Sequence, residues 1–569
     1  MAAVYGRGAT RTLDRLAASL GALDGAPIEF EAVHDVPEAG VLLALPALLE
    51  NGLLAHSREI FTMPEGFYPL ESIFLLLALM ALARIGSVEQ LRYVAPGEWG
   101  KLLGLDRIPE VRTLRQKVAA LCSQEGRAER WSGMLAKEWM QVEPQSAGVL
   151  YIDAHVRVYH GALSDLPRRY IARQRLCLRG TTDYWVNAMD GRPFFCVTQA
   201  VDPGLAQVLR EELVPRFLQD VPDQPSESAL AADPLLHRLT IVFDRGGYSP
   251  ELFAWLRSQR LAILTYHKFP GAPWPQEEFA AQEVTLIHGE RVVMSLAERG
   301  TRLANGLWVR EVRRLNEGGH QTAILSTDYH SPCTQVAVAM FARWCQENFF
   351  RYMMEHYGLD RLAEHGTQPL PDTTRVINPA WRELDGQLRR ENALLSSHAR
   401  KLASLPLPED LEPAKMQTVQ RKRGELHQLI ELSKERVELL KQQRRAQPKH
   451  LEIRDLPEKD RFSQLKTERK HFVDTIKLVA YRAETALAHL AREKMARLDD
   501  ARSLLRQAFH SAADLFPDYS SHTLTVRLHP LSSPIHDHVL RHLCKELTDT
   551  ETTFPGTSLR LVYQIIGSS

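Results

Sequence analysis

The spacing of apolar and polar positions divides the chain into stretches of different texture. Up to about residue 145 apolar residues recur at helical spacing, and the run Ile73–Ala83 is apolar on every side, as in a buried helix. Short helices separated by Pro and Gly are predicted around Ser87–Arg92, Trp99–Asp106 and Val111–Val118. Helix-turn-helix DNA readers share that succession with ordinary helical cores. From about 146 short apolar runs take over. Gly148–Asp153 and Arg157–Gly161 are predicted as consecutive strands around a tight connection, followed by Arg192–Val201, Thr240–Phe243 and Leu261–Thr265. Helices are expected at Gly204–Leu218 and at Pro250–Gln259, the latter behind Ser249 as N-cap with Glu251 in its first turn.

Residues 269–324 interrupt this alternation. Glu283–Ile287, Arg291–Ser295, Leu307–Arg313 and Gln321–Ser326 read as antiparallel strands with polar turns. A helical pattern returns over Val336–Tyr357. Residues 380–510 then carry three-four spacing: Leu384, Leu388, Leu395, Leu402 and Leu405; Val419, Leu426, Ile430, Val437 and Leu440; Phe472, Ile476, Val479, Ala483 and Leu490. Pro406, Pro408, Pro413 and Pro448 break the run, which predicts three helices folded back on each other rather than one rod. The tail reads as strand, helix, strand over Leu524–Leu528, Ile535–Leu547 and Ser558–Ile565.

Composition narrows the class. The chain has 569 residues, enough for several domains with a large core. Lys and Arg number 70, as do Asp and Glu, so the formal net charge is zero and any contact with phosphates must rest on a local basic patch. The six cysteines form no Cys-x-x-Cys pair, which argues against a zinc knuckle or disulfide framework and fits a reducing cytoplasm. The N-terminus lacks a signal-peptide pattern, and Ile73–Ala83 falls short of the about 20 residues a bilayer needs.

Three acids stand out. Asp153 ends the run Gly148–Asp153, Asp244 ends Leu239–Asp244, and Glu347 sits in the later helical pattern. The order strand-strand-strand-helix-strand-helix-strand-helix is that of an RNase H-like core, with buried parallel pairing in its alternating part. Two carboxylates at strand ends and a third on a helix suit two divalent metals about 4 Å apart, an arrangement that cleaves and joins phosphodiesters. Mg²⁺ or Mn²⁺ is the expected pair, since hard cations prefer carboxylate oxygen. Each acid also has a structural alternative: strand-end Asp often caps a turn, and helical Glu is commonly solvated.

The segment Arg343–Asp360 resembles the C-terminal signature of DDE transposases of the insertion-sequence class, which carries a Tyr, an Arg, the catalytic Glu and a Lys at fixed spacing. Arg343 and Glu347 match in type and spacing, while Met340 and Met354 stand at the Tyr and Lys positions. Tyr151–His155 is similar to the segment around that class's first Asp, and Val242–Ser249 to that around its second. The resemblance spans about residues 146–368 and implies catalysis and metal binding by Asp153, Asp244 and Glu347. Arg343, Arg351, His155, Lys268 and Arg173 are the expected DNA phosphate contacts, Arg173 within the basic stretch Arg168, Arg169, Arg173, Arg175 and Arg179. Tyr266–Lys268 ends a strand that could face the same cleft. His536, Asp537, His538 and His542 have metal-like spacing but read as a surface helix.

The expected fold is multidomain α+β. It comprises a helical, DNA-reading N-terminal domain (1–145), an RNase H-like catalytic domain (146–368) with a β insertion at about 269–324, coiled-coil helices (369–510) and a small α/β unit (511–569). The expected function is transposition in a bacterial cytoplasm, at the nucleoid. Its partners would be double-stranded DNA (transposon ends and target) and a second copy of the chain. The alternatives are an RNase H-like nuclease or domesticated transposase without strand transfer, and a non-catalytic DNA-binding scaffold.

Overall fold

The computed structural model describes residues 8–161, 166, 168–171, 176–199, 201–287, 289–361, 366–405, 413–495 and 497–567. The chain is mixed α/β and forms two compact units. One comprises Met1–Tyr159, Ile171–Gly366 and Lys466–Ser569, the other His160–Tyr170 and Thr367–Leu465.

The first unit is built on a large sheet. Its strands are β1 (Val149–Val158), β2 (Leu176–Asn187), β3 (Pro193–Gln199), β4 (Thr240–Phe243), β5 (Ala262–Tyr266), β6 (Ala280–Thr285), β7 (Arg291–Arg302), β8 (Trp308–Leu315) and β9 (Gln321–Ser326). Within this unit they run in the order β3-β2-β1-β4-β5-β9-β8-β7-β6. The β1–β2 and β2–β3 pairs are antiparallel, whereas β4 lies parallel to β1 and β5 parallel to β4. β9 adds antiparallel to β5, so the segment 280–326 extends this same sheet.

The sequence reading of two strands over Gly148–Asp153 and Arg157–Gly161 is corrected here. β1 is one continuous strand through Asp153, because β2 pairs with it from Tyr151↔Asn187 to Val158↔Gly180. Asp153 is therefore mid-strand. It lies one residue past Ile152, the last β1 residue paired with β4.

Alternation sends successive side chains to opposite faces. Leu150, Ile152, Ile241, Phe243 and Ile263 enter the main core. Tyr151, Val242 and Leu264 face the other way, under helix α3 (Cys333–Phe341), with Val336 and Met340. The helical pattern at Val336–Tyr357 is broken at Ala342, and α4 (Arg343–Tyr357) starts there afresh.

The main core also holds α1 (Leu70–Leu82), α2 (Arg127–Val142) and α7 (Glu468–Arg492). Phe472 of α7 joins a ring cluster with Phe61, Phe74 and Trp131, at centroid distances of 5.2, 5.2 and 5.8 Å. The third set of periodic apolar residues thus packs on N-terminal helices within the first unit. Its apolar face is wide enough for a core helix, and heptad-like spacing alone cannot tell the two apart. In the second unit, α5 (Pro379–Ala403) and α6 (Pro413–Ala446) pair antiparallel through Leu388, Val437 and Leu440, with Arg444 on Asp385. The tail strands Ala513–Asp518, Thr523–Leu528 and Arg560–Ile565 form a sheet with Val33–Val36. Among the described residues no helix is long and apolar enough to cross a membrane.

Candidate active site

Register decides which side chains meet. Tyr151 pairs with Val242, and Val242 with Leu264. Two residues on, on the same face, come Asp153, Asp244 and Tyr266. They form one row across three parallel strands, at the carboxyl ends of β4 and β5. Open sheets of this kind place their sites at such ends. Asp244 follows β4 directly, and its Oδ1 accepts the Gly246 N–H at 2.7 Å, which fixes the short turn Arg245–Gly247.

Glu347 arrives from α4. Arg343, one turn earlier, donates to Glu347 Oε1 at 2.6 Å and lies 3.5 Å from Asp153 Oδ2. The intervening Gln346 is buried and bolts α4 to the sheet. Its Nε2 donates to the Tyr151 carbonyl at 3.2 Å, the Trp185 carbonyl at 3.3 Å and Asn187 Oδ1 at 2.9 Å. Sequence reasoning missed Gln346 and Asn187; the available signal was a polar residue flanked by the apolar side of an otherwise amphipathic helix.

The far end of α4 is held by α7. Glu484 is fully buried and accepts from the hydroxyls of Tyr352 and Tyr357, and it pairs with Arg84 at 2.7 Å. Lys470 and Lys477 donate to the carbonyls of Leu359 and Gly358 at 2.8 and 3.1 Å. Both contacts fasten the turn that follows α4.

Burial raises the Asp153 carboxyl to a pKa of about 6; Arg343 opposes the rise, and the Asp244 and Glu347 carboxylates add to it. Three acids therefore share one field with a guanidinium that contacts two of them, which leaves excess negative charge. A hard dication suits that donor set. Asp153 and Glu347 keep side-chain exposures of 25% and 39%, so the oxygens are reachable. They are not drawn into a finished coordination shell. Among the described residues, the triple whose ligand atoms all lie within 4.8 Å of one another is Asp35, Asp514 and His529, in the small sheet. There Arg527, 2.9 Å from Asp514, already supplies positive charge.

The other expected contacts fare unequally. His155, one row beyond Asp153, stacks on Phe350 of α4 at 5.5 Å. Arg351 is exposed and donates to Asn348 at 3.2 Å. Lys268 is exposed, 5.7 Å from the Phe269 ring centroid. Arg173 lies outside the described residues, as does Arg175. His536, Asp537, His538 and His542 fall on the helix Pro534–Asp549, where His542 pairs with Glu493 and Asp537 accepts from the Leu531 N–H.

Comparison with known families gives the class, a transposase. The family model described as "Transposase protein" matches residues 6–567, and the chain belongs to that family. No curated protein matches the chain.

Proposed function

We propose that this transposase is of the DDE type, with an RNase H-like core, and that Asp153, Asp244 and Glu347 hold two Mg²⁺ or Mn²⁺ ions at which transposon ends are cut and joined to target DNA. The observation that carries the reading is that Arg343 of α4 contacts both Asp153 and Glu347, while Asp244, at the end of β4, adds its charge to the same field, on a sheet of order β3-β2-β1-β4-β5. That order, with β1–β3 antiparallel and β4 and β5 parallel to β1, supports the RNase H-like reading.

When bound, such ions supply activation of the attacking oxygen and stabilisation of the leaving oxygen. The residues do the rest. The sheet holds Asp153 and Asp244 in one row, and Gln346 fixes the height of Glu347 above it. Arg343, engaged with the Asp153 and Glu347 carboxylates, would offer its guanidinium to a phosphate oxygen if those carboxylates held a cation. In the first step water attacks phosphorus, the P–O3′ bond breaks and a 3′-hydroxyl is freed. In the second, that hydroxyl attacks a target phosphodiester, forming one P–O bond and breaking another. Arg351, Lys268 and His155 then serve as outlying phosphate contacts, as does Arg173. DNA reading belongs to the N-terminal helices and pairing of two DNA ends to a homodimer at the nucleoid.

The test is cleavage and joining of labelled DNA bearing the ends that flank the gene, with Mg²⁺ or Mn²⁺, for wild type and Glu347→Gln. Metal-dependent cut and joined products that vanish in the variant are expected. Cut products without joining would favour a nuclease. No products from a folded, DNA-bound wild type would reject the catalytic reading in favour of a scaffold.

A further inference from the structure

Tyr266 completes the row of Asp153 and Asp244, and none of the chemistry above uses it. It ends β5, two residues past Leu264, on the face that carries both Asp residues. Its ring packs beside the cluster of Tyr151, Val242, Leu264 and Met340, so the side chain is anchored at its base. The side chain is half-buried, and the charges of Arg343, Glu347 and Arg245 act on its phenol. The Arg245 guanidinium carbon lies 5.7 Å from the ring centroid. One O–H donor thus stands near the Glu347 carboxylate and two guanidinium groups, in register with the strands that carry Asp153 and Asp244.

A phosphodiester brought to this row meets acceptor-only carboxylates, which repel its oxygens, and finds donors on Arg343, Arg245 and Tyr266. The two arginines are charged and engage carboxylate or ring partners, whereas the phenol is held by packing. Resting on the functional reading above, we propose that Tyr266 is a further catalytic residue: its hydroxyl donates a hydrogen bond to a non-bridging oxygen of the scissile phosphate. Preorganised donors of this kind act on charge that grows in the transition state. Burial, the leading influence, raises the phenol's pKa, with Arg343 opposing it, so the group stays protonated at neutral pH and serves as donor rather than nucleophile.

The experiment uses the full chain. Tyr266→Phe, Asp153→Asn and wild type are compared in single-turnover cleavage of a labelled DNA end with Mn²⁺, beside DNA affinity by anisotropy. Tyr266→Phe is expected to slow cleavage at saturating DNA about 10- to 100-fold, less than the loss of a full oxyanion-hole donor because Arg343 remains. DNA affinity should stay within about 2-fold, since a single neutral hydrogen bond contributes modestly to binding. A second readout is independent of folding losses. With sulfur in place of one non-bridging oxygen at the scissile phosphate, one diastereomer should slow the wild type more than it slows the variant. An unchanged rate in Tyr266→Phe beside a dead Asp153→Asn overturns this proposal alone. A DNA–protein adduct lost in Tyr266→Phe overturns it in favour of a tyrosine nucleophile. Full activity in Asp153→Asn instead overturns the functional reading beneath it. Equal sulfur effects in wild type and variant also overturn the role of Tyr266.

Discussion

Among single residues, Asp153 and Asp244 draw notice in the sequence because each follows an apolar run, and Glu347 because its spacing from Arg343 resembles a known signature. Gln346 does not, since its value lies in three acceptors that sequence spacing cannot show. Asp153 was placed at a strand end, yet it is mid-strand. What ends beside it is the parallel partner β4, a fact of register rather than of local pattern. Replacing Gln346 with Leu leaves those acceptors buried and unpaired, which should cost about 1–3 kcal/mol of stability. Urea unfolding of the variant should show a lower midpoint at unchanged slope, and DNA cleavage should fall with it because Glu347 loses its anchor. An unchanged midpoint would mean that α4 is seated by its apolar contacts alone.

Among elements, the strands were found where apolar runs were short and bounded, but β2 was missed. Its segment, Leu176–Asn187, mixes Arg, Thr and Asp with apolar residues, and Thr181, Thr182 and Asp183 are buried inside the fold: Asp183 bonds Arg157 and Thr198. Helix α7 was recognised as a helix but given the wrong neighbours. Its buried Glu484 ties α4 to Arg84, and breaking a buried ion pair by removing one partner costs about 3–5 kcal/mol. Glu484→Leu should therefore unfold well below the wild-type temperature, with the loss read by circular dichroism. Lys477, also on α7, has its ammonium pushed down to about 7 by burial and by Lys470, with Asp474 opposing and Arg361 and Arg157 adding to the fall. An unfolded lysine titrates near 10.4, at about that value. Between those pH values the unfolded chain binds more protons, so this group's contribution rises with pH and is lost as pH falls through about 7. Lys477→Met should flatten the difference in stability between pH 6 and pH 9 by about 1–3 kcal/mol. Parallel pH profiles for wild type and variant would show that the buried amine is neutralised by its partners instead.

For the whole molecule, sequence order misleads most. The chain leaves the first unit at Thr367 and returns at Lys466, so residues almost 500 apart in the small sheet pair as Val33↔Leu515. No periodicity reports such a return. It follows that a chain cut after Leu465 loses α7 from among α1 and α2 and should be insoluble on expression; a soluble, folded product would contradict this packing. The central claim, that Asp153, Asp244 and Glu347 form a metal centre, is tested most directly by calorimetric titration of Mn²⁺ into the full chain. Wild type and His529→Ala should bind alike, and Asp153→Asn, Asp244→Asn and Glu347→Gln should each weaken binding about 10-fold or more, as loss of a ligand to a hard cation does. Binding that survives in all three variants, or that disappears in His529→Ala, would place the metal elsewhere and contradict the account.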